Sequence, residues 1–309
     1  MNTMAIVMAF AGAACFGLAA PPVARRLPPR HATWMISVGA VASALSTTVV
    51  LGLLAVVLVG QVPAIADLGR WSGSALHEHA FTEPGVGAAA LLLLLAAALA
   101  LIVTGRRELT ALLSAYRACR NMPPAASDLV VVSGGPSDAV AVPGRPGRIV
   151  IGESLLAALT AAERRALLAH EHAHLDHGHH WHRGAVLVAA AANPILTPLR
   201  ATIIHTTERW ADEEAASEIG DRRQVAAALA RVALLTRGQR LRTGLALAAQ
   251  GVPDRVAALL TRPSPTRPGL TSVILATPLV AAVAAAIVWK HTEHIFELAG
   301  RLHRLSGGG

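Results

Sequence analysis

Residues 167–180, LLAHEHAHLDHGHH, place six of the chain's fourteen histidines within eleven positions. Imidazole is the commonest metal-binding side chain, so the first question is which of these rings can converge on one ion. His170 and His174 stand four residues apart, with Glu171 beside the first, an H-E-x-x-H pattern. On a helix, positions i and i+4 share one face a turn apart, so both imidazoles can reach a single metal. The neighbouring carboxylate can then take a proton from a water activated there. His172 points away from that face. A tract this rich in histidine can also match the pattern by accident, so a metal-scavenging segment is the competing reading.

A catalytic zinc site uses three protein ligands and keeps a fourth position open. Two third ligands compete. His180 has the spacing of the longer motif H-E-x-x-H-x-x-G-x-x-H, but His177 occupies its glycine position and no Met follows Met122, so that class's Met-turn is impossible. Glu208, in the stretch TERWAD, has Asp212 one helical turn on, and a second carboxylate there can orient a ligating histidine from behind. Glu208 is the preferred reading. His205, three residues before Glu208, is a weak candidate for stabilising an oxyanion. His172, His177, His179, His180 and His182 are surplus to this set, and the last three are expected to be exposed beyond a helix end at Gly178. Glu213, Glu214 and Glu218 read as a solvated face, and Trp210 as core or interface.

Several elements must position these residues. T-A-A-E at 160–163 is a capping-box pattern, and nothing breaks the helix it starts until Gly178. Before it, β-type runs at 129–132, 139–142 and 149–151 predict a small sheet of two or three strands, the last two flanking the turn-rich PGRPGR. The strand at 148–151 is expected to offer its edge to an extended peptide. The apolar segment 184–199, interrupted by Pro194 and Pro198, is too short to cross a bilayer and predicts a buried helix or a dip into the interface. Charged helices are expected at 206–219 and 224–237, with a linker at 263–268.

Apolar residues make up 53% of the 309-residue chain and mean hydropathy is +0.50, so membrane spans are expected. Four stretches free of Asp, Glu, His, Lys and Arg qualify: 4–20 marginally, and 34–59, 86–104 and 270–289 clearly. Arg25, Arg26 and Arg30 follow the first, so a retained span fits better than a signal peptide. Arg106, Arg107, Arg117 and Arg120 follow the third, and Arg262 and Arg267 precede the fourth. Positive-inside counting puts the intervening segment in the cytoplasm and both termini outside. Spans empty of ionisable groups argue against an ion transporter. The net charge of +8 comes from scattered arginines without interleaved aromatics, so no direct nucleic-acid partner is expected. Cys15 and Cys119 fall at different depths and predict no disulfide.

HEHAH, followed 34 residues after its second histidine by ERWAD with Asn193-Pro194 between, resembles the BlaR/MecR-type integral-membrane zinc peptidases. It is similar, more distantly, to the HtpX-type membrane peptidases, in which two membrane spans separate the motifs. The interval here cannot hold two. The resemblance runs over roughly residues 86–290. With the four spans and the arginine bias, it gives a mainly α membrane protein: an N-terminal region of three spans (1–104), an α+β zincin-like (gluzincin) domain in the cytoplasm (105–269), as the resemblance implies, then a fourth span and short external tail (270–309). It also implies one Zn2+ per chain held by His170, His174 and Glu208, with Glu171 as general base and Asp212 behind a ligand. The implied activity is endopeptidase cleavage of a protein or peptide substrate beside the lipid bilayer, in a bacterial plasma membrane. The chain departs from the BlaR/MecR pattern in having only residues 290–309 after the last span, where that family carries a penicillin-binding sensor.

Overall fold

The computed structural model describes residues 2–80, 82–121, 128–133, 139–242, 251–261 and 268–306. All of the expected linker at 263–268 except Pro268 lies outside them. Most described residues are helical. α1 (Asn2–Ala24), α2 (Pro29–Val59), α5 (Pro84–Asn121) and α12 (Pro268–Ser306) carry the four apolar stretches, and each is long and apolar enough to cross a membrane. α2 begins on Pro29, where a missing N–H costs nothing and the fixed φ favours a helix start. α5 runs unbroken from the third apolar stretch through the charged residues to Asn121, with Gly85, Gly87 and Gly105 all within the helix.

α1 and α12 pack closely at Gly12, where a Cβ would stand 2.7 Å from the carbonyl oxygen of Thr277. Ala5 and Ala9 of α1, Val50 and Leu54 of α2, Ala90 of α5 and Ala284 and Val288 of α12 form one core layer among the four helices. At 1.5 Å per residue α12 is about 58 Å long, roughly twice an apolar bilayer thickness of ~30 Å, so much of it extends beyond. Two short helices follow α2, α3 (Pro63–Gly69) and α4 (Gly73–Glu78), and the far end of α12 meets α4. Ala75 and Leu76 bury against Ile295 and Ala299, and Ser72 N–H donates to the Ala299 carbonyl at 3.1 Å.

The segment between α5 and α12 opens with three strands: β1 (Leu129–Val132), β2 (Ala139–Val142) and β3 (Arg148–Gly152). Their order is β1–β3–β2, with β1 parallel and β2 antiparallel to β3. The expected hairpin of β2 and β3 is present. The expectation that the strand at 148–151 offers a free edge is corrected: β1 pairs with its other side, so the edge near the histidines belongs to β2. Ile151, Leu155, Leu159, Leu167 and Val232 tie the sheet to α6 (Glu153–Ala158), α7 (Ala161–Asp176) and α10 (Arg222–Arg242).

After α7 the chain turns through Gly178 into α8 (His179–Ala192), a 3-10 turn at Pro194–Leu196, and α9 (Leu199–Ile219). This hairpin enters and leaves the span bundle without crossing it. Val186, Ala189, Ala190, Leu196, Leu199 and Ile203 bury among Phe16 of α1, Leu27 of the α1–α2 connection, Met35 and Ile36 of α2 and Ile274 of α12. At its tip Asn193 accepts from Ile195 N–H and donates to Thr47 Oγ1 at 3.1 Å, midway along α2. A polar side chain buried in an apolar bundle needs such a partner, which fixes how deep the hairpin sits. The segment 184–199 is thus buried along one side, against α1, α2 and α12. Small residues then let helices close up behind the site: Ala166 and Ala169 of α7, Ala215 and Ala216 of α9, Ala226 and Ala228 of α10, with Leu259 of α11 (Val252–Leu260).

Candidate metal centre

α7 starts on the predicted capping box. Thr160 Oγ1 accepts from Glu163 N–H at 3.3 Å, and Glu163 Oε2 accepts from Thr160 N–H at 2.8 Å. Two turns on, the helix presents His170 and His174 on one face, their rings 4.9 Å apart. α9 crosses opposite them and supplies Glu208 and Asp212 from one face of its own. Ligand atoms of His170, His174 and Glu208 lie within 4.8 Å of one another. The inward atoms are specific: His170 Nε2 and His174 Nε2 are 3.2 Å apart, and Glu208 oxygens stand 3.7 and 3.5 Å from them. Two imidazole Nε2 atoms and a carboxylate converging in this way form a donor set that suits zinc.

Each ring is held from behind. His170 Nδ1 is 3.0 Å from Asp212 Oδ1, as the sequence implied for Asp212. His174 Nδ1 is 2.8 Å from His179 Nδ1. Glu171 is buried and its Oε2 accepts from Ala141 N–H of β2 at 2.9 Å, which fixes the carboxylate at the mouth of a cavity of about 270 Å³. The cavity is lined by His170, Glu171, His174 and Glu208, by β2 residues Ala139–Ala141, and by the apolar Leu167, Ala228, Leu229 and Val232. Such a cavity, apolar with a few converging polar groups, is the usual form of a ligand site.

Two arginines complete the site, and sequence reasoning missed both. Arg255 of α11 sends Nε and Nη2 to the two Asp212 oxygens at 2.7 Å each and Nη1 to Glu208 Oε2 at 2.6 Å. Arg183 of α8 donates to Glu208 Oε1 at 2.8 Å and to Thr207 Oγ1 at 2.9 Å. Burial alone would raise the Glu208 carboxyl, but Arg255 and the two histidines hold it well below the usual range. Asp212 is likewise pushed up by burial and brought down by Arg255 and His170 to about 2. Burial lowers the His170 ring, but the hydrogen bonds it donates to the Asp212 and Glu208 carboxylates outweigh it and raise it to about 9. His174 is held well below its ordinary value by burial and by neighbouring His170.

Of the surplus histidines, His179 and His182 are buried, at 1% and 8% exposure, which corrects the expectation that both lie exposed. The reason is Gly178, whose φ of 59° ends one helix and starts another instead of releasing the chain. Burial and Arg183 together lower the His179 ring to about 3. His182 Nδ1 is 2.9 Å from Ser37 Oγ, and its ring meets Trp34 edge-on at 4.6 Å, joining the site to the start of the second span. His180 is partly buried and lines the cavity without joining the three converging donors. His172 faces away, 2.6 Å from Asp128. His177 stacks on Trp210, 3.3 Å from Glu214, while Glu213 pairs with Arg222, so these two acids are partnered rather than simply solvated. Trp210 is core, at 4% exposure. His205 lies against Gly251 and does not line the cavity. An oxyanion role would need it to turn.

Two histidines and a glutamate on crossed helices, with a carboxylate beside them and long apolar helices around them, form a site that could hold a zinc ion. Residues 104–249, just under half of the chain, match the model of peptidase family M48, a family of zinc metallopeptidases. Both motifs fall inside the matched segment. No curated protein and no solved structure matches the chain.

Proposed function

We propose that the chain is a zinc-dependent endopeptidase of the membrane, with His170, His174 and Glu208 as ligands, Glu171 as general base and Asp212 orienting His170. When bound, zinc would supply the Lewis acidity that activates water and polarises a scissile carbonyl. Glu171 accepts the proton of the attacking water at its carboxylate and delivers it to the leaving amine. β2 takes the substrate backbone in extended form along its open edge, and the apolar lining at Leu167, Ala228, Leu229 and Val232 accepts an apolar side chain. The observation that carries this reading is the convergence of two Nε2 atoms and the Glu208 carboxylate within 4.8 Å, beside a fixed Glu171.

The orientation proposed from arginine placement puts this segment in the cytoplasm. A BlaR-like assignment is supported by the interval between the motifs, which holds a hairpin that turns back rather than two spans. It makes a cytosolic transcriptional repressor the favoured substrate. A second reading, cleavage of membrane proteins in quality control, is favoured by one observation: His182 contacts Ser37 and Trp34, so the site abuts the second span. Comparative proteomics of cells carrying the intact protein and Glu171→Gln separates them. A repressor peptidase leaves one regulator uncleaved and a small gene set silent. A quality-control peptidase leaves many membrane-protein fragments. A non-enzymatic zinc sensor leaves neither, because Glu171→Gln spares metal binding.

A further inference from the structure

The two histidines of the metal centre are backed unequally. His170 Nδ1 faces a carboxylate, Asp212, at 3.0 Å, whereas His174 Nδ1 faces a second imidazole, His179, at 2.8 Å. A histidine that ligates through Nε2 carries its proton on Nδ1, and that N–H needs an acceptor to fix ring and tautomer. His174 Nε2 points at His170 and Glu208, so Nδ1 is its donor. His179 must then accept at a bare Nδ1 and keep its own proton on Nε2. Nε2 of His179 is fully buried with no hydrogen-bond partner among the described residues. Leaving a buried N–H unmet costs on the order of 1–3 kcal/mol, a cost that a purely structural side chain at this place would avoid.

Resting on the zinc reading above, we propose that His179 is the positioning residue of His174, accepting its Nδ1–H so that the Nε2 lone pair faces the ion. The backbone supports this placement. Along an unbroken helix His179, five residues after His174, would stand well round from it, and the left-handed turn at Gly178 brings it back behind the ring. Trp210 lies at 4.9 Å from the His179 ring and His177 at 5.9 Å, holding it in place. A neutral acceptor behind one ligand and an anion behind the other make His174 the less basic of the pair.

The test uses the full chain in detergent, with zinc affinity read by chelator competition and cobalt(II) substitution read by its visible spectrum. His179→Asn keeps an acceptor, Oδ1, near the Nδ1 position. His179→Leu fills the space and accepts nothing. The expected result is a 10–100-fold loss of zinc affinity for His179→Leu with a shifted cobalt spectrum, the size typical of ligand-orienting partners. His179→Asn should hold to within about 3-fold of the parent with an unshifted spectrum, and it is decisive even if the leucine variant does not accumulate. Equal losses in both variants, or none in either, would overturn the role of His179 while leaving the zinc site standing. No zinc binding by the parent, or binding indifferent to His174→Ala, would overturn both.

Discussion

At the residue scale the account rests on separating ligands from a surplus of histidine. The H-E-x-x-H pattern singled out His170 and His174, since positions i and i+4 bring two rings to one helix face with an acid beside them. The choice of Glu208 over His180 needed chemistry as well as spacing: a carboxylate with a second carboxylate a turn on. The geometry puts Glu208 within the donor group and leaves His180 on the cavity wall. Glu208→Ala should therefore lower zinc affinity sharply, by more than 10-fold given the loss of one of three ligands, and His180→Ala should leave one zinc per chain. Metal content after dialysis against a weak chelator measures both, and swapped outcomes would assign the third ligand to His180. Arg255 was invisible in the sequence. It stands 43 residues beyond Asp212 in no motif, and only the packing of α11 against α9 brings its guanidinium to both carboxylates. Charge balance was the available signal: two buried acids beside two histidines call for a cation.

At the scale of elements, local signals served well where one device decides the outcome. The capping box fixed the start of α7, and the PGRPGR turn fixed the β2–β3 hairpin. Sheet order was not legible, since the parallel partner β1 comes from a non-local pairing that no turn announces. The histidines beyond Gly178 were misplaced for a related reason: a glycine in a helical pattern reads as a stop, yet here its left-handed conformation re-aims the chain into α8. Gly178→Ala tests that device. An alanine in the left-handed region costs roughly 1–2 kcal/mol, and its Cβ would sit 3.2 Å from Trp181 Cδ1. The expected outcome is a stability loss of about that size in chemical denaturation of the detergent-solubilised chain. An unchanged midpoint would mean that the turn between α7 and α8 bears no such constraint.

At the scale of the whole molecule, the four apolar helices were plain in composition, and the surprise lies in what is wedged between them. The α8–α9 hairpin reaches Thr47 and carries Arg183, His179 and Glu208 at its other end. Span packing and site geometry are thus one structure, and a movement of α2 against α1 would reach Glu208 through a single pair of helices. The proposed orientation is checked by labelling introduced cysteines in intact cells: 61–80 and 290–306 should react from outside, 106–121 should not. The opposite pattern would put the site on the outer face and remove a cytosolic repressor from consideration.

The central claim is that Glu171 acts on a water at a three-ligand zinc centre. It is tested most directly on the purified chain and its Glu171→Gln form, by measuring bound zinc and peptide-bond hydrolysis of an unfolded protein substrate side by side. The account predicts equal zinc, one per chain, and a rate lower by about 10²–10⁴-fold in the variant, the range general-base catalysis supplies. Undiminished hydrolysis with Glu171→Gln, or no zinc in either form, would contradict it.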